Sequence, residues 1–66
     1  MTNNIRVERA IMRLTQAELA ERVNVSRQTV NAIESGKYVP STVLALKICR
    51  VFGKPVEAVF MLEEGD

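Results

Sequence analysis

The chain has 66 residues, enough for one domain, and a chain this short buries only about 60% of the surface it exposes when unfolded. Its composition is 47% apolar, with one cysteine and no histidine, which excludes an intramolecular disulfide and zinc sites of the usual Cys/His kind. The formal net charge is +1, but residues 1–37 carry six Lys and Arg against four Asp and Glu, whereas residues 38–66 carry three against four; a mild basic bias accompanies the N-terminal half and the acidic Glu63-Glu64-Gly65-Asp66 tail stands apart from it.

No apolar run is long enough to span a bilayer and no signal peptide opens the sequence, so the cytoplasm is the expected location. A first helix is expected from Asn3 or Asn4, either of which can cap it, to about Arg13. Val7, Ala10, Ile11 and Leu14 form its apolar stripe, with Ile5 and Met12 about one face over. Arg13 stands where a C-terminal Gly is usual, and its charge suits a helix end. Thr15 and Glu18 then make the T-Q-A-E capping box of a second helix, Gln16 to Val23, whose Leu19, Ala20 and Val23 share a face. Asn24 provides the left-handed residue of a sharp bend, Val25 is pinned inward, and Ser26 caps a third helix from Arg27 to Ser35. Ala20 is small where the two helices cross, so residues 16–35 have the layout of a helix-turn-helix.

The third helix faces inward with Val30 and Ile33. Its opposite face carries Arg27, Gln28, Thr29 and Asn31, all able to hydrogen-bond and only one of them charged. A merely solvated face more often carries Glu and Lys. Arg and Gln near a helix N-terminus can make the paired hydrogen bonds that distinguish base edges, so these four are the candidate base-reading residues.

Gly36 is the expected left-handed stop, and Lys37-Tyr38-Val39-Pro40 a short extended loop. A fourth helix, capped by Ser41 and ended by Gly53, is apolar nearly all round and is expected at the centre of the domain. Cys49 on it reads as a small core residue. Pro55 opens a fifth helix to about Phe60, after which Met61 to Glu64 can fray or extend as a short strand.

The segments Leu14-Thr15-Gln16, Glu18-Leu19-Ala20, Val25-Ser26-Arg27-Gln28-Thr29 and Glu34-Ser35-Gly36-Lys37 closely resemble the Cro/XRE-type helix-turn-helix regulators, which include phage repressors. The resemblance covers essentially the whole chain. It implies an all-α, compact five-helix bundle of the phage-repressor-like DNA-binding type, to which the C-terminal segment can add a short terminal β-ribbon. It also implies a sequence-specific site on double-stranded DNA and a homodimer on a pseudo-palindrome. Position by position, it places Gln16 against a phosphate and as a brace for the reading side chains. Arg27 and Gln28 fall on bases, and Thr29 and Asn31 on bases or the adjacent backbone. Ser26 and the Ser35-Gly36-Lys37-Tyr38 segment fall on phosphates, the latter through backbone N–H groups and Lys37. Arg9 and Glu34 match a structural ion pair joining the first helix to the third. The sequence departs from the common pattern at Arg13 and Asn24, both often Gly in relatives, at Lys54, often apolar, and at Glu8, often Leu.

An enzyme is not expected. There is no histidine base, no metal constellation and no cofactor motif, and a bundle this small leaves little room for a substrate cavity. Val56, Val59, Phe60, Met61 and Leu62 form the expected dimer contact, which would equally serve an antitoxin or a protein-binding helical module; simple core closure also accounts for Val56 and Phe60. The expected role is a DNA-binding regulator that acts by occupancy, in the sense of repression because the chain has no room for a separate activation domain. No small-molecule ligand is implied.

Overall fold

A computed structural model describes residues 1–66. The order of elements is β1 (Thr2–Asn3), α1 (Ile5–Met12), α2 (Gln16–Val23), α3 (Arg27–Glu34), α4 (Thr42–Phe52), α5 (Val56–Val59) and β2 (Phe60–Met61). No helix is long and apolar enough to cross a membrane.

Local chemistry accounts for most boundaries. Thr15 Oγ1 accepts from the Glu18 amide at 3.0 Å, and the Glu18 carboxylate accepts from the Thr15 amide at 2.9 Å, closing the capping box. Hydrogen bonding from the Thr15 backbone amide, and secondly from its hydroxyl, holds the Glu18 carboxyl below its ordinary value. Ser26 and Ser41 cap α3 and α4 through their hydroxyls. Arg13 and Asn24 both adopt positive φ, 56° and 61°, and so take the left-handed conformation that Gly supplies most easily. Helix α3 ends at Glu34, one place earlier than expected, with Ser35 as its C-cap. At α1 neither expected cap acts from the boundary residue itself: Asn4 occupies it without a side-chain cap bond, while Asn3 Oδ1 accepts from the Ile5 amide at 3.1 Å.

The core gathers Ile5, Leu19, Ala20, Val23, Val30, Ile33, Leu44, Ile48, Cys49, Val59 and Phe60. Ala20 is 3% exposed beneath the α2–α3 contact, where a larger side chain would hold the helices apart. Burial pushes the Cys49 thiol above its ordinary value, with a smaller push from Glu57.

Three expectations are corrected. The inward face of α1 is Ile5 and Glu8, whereas Val7 and Ile11 are 56% and 66% exposed. The helix is turned this way because its inward polar groups are paired, Glu8 with Lys54 and Arg9 with Glu34. Helix α4 is not central: Leu44, Ile48 and Cys49 face in, while Val43 and Leu46 stay exposed because α1, α2 and α5 cover only one side of it. Helix α5 stops at Val59, since Phe60 is extended and begins β2.

Strands β1 and β2 pair antiparallel with Thr2 opposite Met61 and Asn3 opposite Phe60. This ribbon joins the two ends of the chain, and the Met1 amino group lies 2.8 Å from both Glu63 Oε1 and Asp66 Oδ2.

Candidate nucleic-acid interface

The outer face of α3 is built on the helix's inward residues. Val30 and Ile33, each 1% exposed, anchor it to the core, and helical periodicity then turns Arg27, Gln28 and Asn31 outward. Arg27 and Gln28 are exposed, and neither side chain has a hydrogen-bond partner within the molecule. Their donors and acceptors are therefore open to a ligand. Thr29 is half-buried, its hydroxyl 2.9 Å from that of Ser26. A shallow depression of about 340 Å³ runs along this face between Ser26, Gln28, Thr29, Ala32 and Tyr38.

A polar brace lies behind the outer face. Gln16 Nε2 donates to Asn31 Oδ1 at 3.2 Å and to Glu34 Oε2 at 2.8 Å. Arg9 donates through Nε to Glu34 Oε1 and through Nη2 to Glu34 Oε2, the latter at 3.2 Å, while its Nη1 donates to the Leu14 carbonyl at 2.9 Å. Arginine, carboxylate and amide thus fasten α1 and α2 to the end of α3. Burial pushes the Glu34 carboxyl up, but the hydrogen bonds from Arg9 and Gln16, with the charges of Arg9 and Arg6, outweigh it and hold the group below its ordinary value.

This brace changes what Gln16 can offer. Both hydrogens of its side-chain amide are used inside the molecule, leaving an acceptor oxygen that has nothing to give a phosphate. Only its main-chain N–H, in the first turn of α2, keeps an outward donor.

The segment after α3 is also more committed than its sequence indicates. The amides of Ser35, Gly36, Lys37 and Tyr38 donate to the carbonyls of Asn31, Ile33, Ala32 and Ala32, at 2.9–3.2 Å. The expectation that these amides are free for phosphates is therefore corrected: they close the end of the helix. Ser35 Oγ likewise donates to the Ala32 carbonyl at 3.2 Å. What remains for an anion is the Lys37 ammonium and the Tyr38 hydroxyl, both on exposed residues. Gly36, at φ 78°, makes the turn that presents them.

The five residues expected at a dimer contact divide. Val59 is fully buried and closes the core, so it has no surface for a partner. Phe60, 7% exposed, also closes the core and shows only an edge. Val56 and Met61 are half-buried and Leu62 is 82% exposed. Sequence reading missed Val39, Val43 and Leu46, which are 55–64% exposed. Val39 and Leu46 border an apolar groove of about 250 Å³ with Pro40, Ala45, Val56 and Phe60. The nearly all-round apolar character of α4 was the available signal, because a helix with only one covered side must leave the other open. No cluster of His, Cys, Asp or Glu has the arrangement of a metal site.

Comparison with known proteins agrees with this geometry. A family described as helix-turn-helix matches residues 5–59. The chain is 53% identical over 64 residues to the uncharacterized HTH-type transcriptional regulator YgzD of Bacillus subtilis, covering 97% of each chain. It is 47% identical over 66 residues to the uncharacterized HTH-type transcriptional regulator MJ0272 of Methanocaldococcus jannaschii, covering all of both. Among solved structures, the clp gene regulator ClgR from Corynebacterium glutamicum superposes with a TM-score of 0.74 at 33% identity, over 79% of this chain. The chain spans about half, 55%, of that protein's length.

Proposed function

Since the chain belongs to the Cro/XRE-type helix-turn-helix family of transcriptional regulators, which are not enzymes, we propose that it is a sequence-specific repressor that binds double-stranded DNA as a homodimer. The observation that carries this reading is the pair Arg27 and Gln28, exposed and unpartnered at the start of a helix whose far side is anchored in the core. Arg reads guanine and Gln reads adenine by two hydrogen bonds each in the major groove. Thr29 and Asn31 extend the reading face. Lys37 and Tyr38 meet the flanking phosphates, together with Ser26 and the first amides of α2 at Gln16. Ser35 and Gly36 shape the turn that brings Lys37 there. Residues 1–66 act as one DNA-binding domain.

The homodimer forms through the open side of α4. Val39, Val43 and Leu46, with the groove edge of Val56 and Phe60 and the neighbouring Met61 and Leu62, supply an apolar surface that a lone soluble domain has no reason to leave bare. Two copies related by a two-fold axis would present two α3 helices to half-sites about 34 Å apart. Occupancy of such a site blocks polymerase, and it needs no small molecule or cofactor.

Selection of bound sequences from a random duplex pool, with binding repeated at two salt concentrations, tests the whole reading. The expected result is a two-fold-symmetric motif whose affinity falls steeply with salt. A motif without symmetry would overturn the dimer, and no enrichment by folded protein would overturn DNA reading. That second result would favour a protein partner, such as a toxin, on the same apolar surface.

A further inference from the structure

Resting on the DNA-reading role above, we propose that Asn3 is a positioning residue for α3: its side-chain amide ties the terminal ribbon to the end of the reading helix and thereby sharpens base discrimination. Asn3 Nδ2 donates to the Ile33 carbonyl at 2.9 Å across a separation of thirty residues. Its Oδ1 accepts from the Ile5 amide at 3.1 Å, and its backbone pairs with Phe60. One half-buried amide therefore joins the ribbon, the start of α1 and the last turn of α3.

The last turn of α3 contains no basic side chain to attend its carbonyls. On the α1–α2 side, the helix end is held by Arg9 and Gln16 acting on Glu34. Asn3 acts on the adjacent residue from the ribbon. A cleft of about 460 Å³ lies here, lined by Asn3, Glu34, Ser35, Gly36, Tyr38 and other residues. Apolar packing of Val30 and Ile33 is non-directional and resists rotation of the helix about its own axis only weakly. Directional hydrogen bonds from two different elements at one end resist it well. The demand is real, because paired hydrogen bonds to a base edge tolerate displacements of only about 0.5 Å and 10–20°. Asn3 touches neither base nor phosphate in this scheme, and it is uncharged. Its loss should reduce discrimination and leave the salt dependence alone.

The test uses the full chain with Asn3→Ser and Asn3→Ala. Serine keeps an acceptor for the Ile5 amide but cannot reach the Ile33 carbonyl, so it separates capping of α1 from the tie to α3. Affinities are measured for the duplex enriched by the wild-type chain and for a scrambled duplex, well below each variant's unfolding temperature. The expected result is a fall in the ratio of the two affinities by about three- to tenfold in both variants, the equivalent of one such hydrogen bond, with an unchanged salt slope. An unchanged ratio accompanied only by a lower Tm would show a purely structural role and overturn the proposal. If Asn3→Ala does not fold, Asn3→Ser decides. A wild-type chain that prefers no duplex would overturn the DNA-reading role as well, whereas a discriminating wild type with equally discriminating variants overturns the role of Asn3 alone.

Discussion

Lys54 Nζ lies 2.8 Å from Glu8 Oε2, and the Glu8 side chain is only 8% exposed whereas that of Lys54 is 44% exposed. The resemblance leads one to expect apolar residues at both positions, and the structure makes the two departures one interaction. The acidic residue on the inward face of α1 thus lies beside a cation that neutralises it.

The pair predicts an asymmetric outcome on mutation. Lys54→Ala leaves a buried carboxylate without its partner and should destabilise by roughly 1–2 kcal/mol, less than the loss at a fully buried pair because Lys54 is partly solvated. The double variant Glu8→Leu, Lys54→Leu should recover to within about 1 kcal/mol of the wild type, or exceed it. Urea unfolding of Glu8→Leu, of Lys54→Leu and of the double variant measures this coupling; simple additivity would refute it.

Acid should loosen the brace behind α3. Because the Glu34 carboxyl is held below its ordinary 4.5, the folded state binds that proton less readily than the unfolded chain. The stability it contributes is present above pH 4.5 and is lost as pH falls below that, through the lower folded-state value. Glu34→Gln should be less stable than the wild type at pH 7, yet lose less on acidification. Urea titrations at pH 7 and pH 3 check this, and parallel losses in both proteins would count against it.

Base reading and phosphate binding predict different mutant behaviour. Gln28→Ala should cost about 1–3 kcal/mol on the preferred duplex and relax the choice at one base position in each half-site. Lys37→Ala should weaken all duplexes alike and reduce the salt slope by about 1. Binding measured on a panel of single-base variants at two salt concentrations separates the two. Uniform weakening by both substitutions would remove Gln28 from the reading set.

The open side of α4 makes a prediction about mass. Leu46→Glu places a charge on a surface already exposed in the single chain, so the folded monomer should keep its Tm, while a dimer formed there should weaken at least tenfold, as burial of an unpaired charge requires. Sedimentation velocity across a range of concentrations would show it. A variant that sediments like the wild type at every concentration would move the contact elsewhere.

Local signals carried the fold well where the stabilising partner is close in sequence. The bonds between Thr15 and Glu18, the Ser26 and Ser41 caps, and the left-handed Asn24 and Gly53 all join or shape residues a few positions apart. Reading failed where the partner is distant. Nothing near Glu8 announces that Lys54 will neutralise it, so hydropathy assigned the wrong inward face to α1. The terminal ribbon itself is expected, but with two residues per strand it is too short for an alternating pattern to place its strands. At the candidate interface, the outward place of Arg27 and Gln28 followed from helical spacing, but the engagement of the four amides from Ser35 to Tyr38 depends on how the chain turns at Gly36.

The buried Cys49 makes the molecule its own clock. A thiol reagent can react only with an exposed thiolate, and burial both hides this sulfur and disfavours its ionisation. Labelling therefore has to wait for α4 to open, and at high reagent concentration its rate becomes the opening rate itself. With no second cysteine in the chain, that rate can be followed by mass alone, with DNA present or absent. A ligand that holds α3 in place without touching α4 would still slow the labelling if the bundle opens as one cooperative unit.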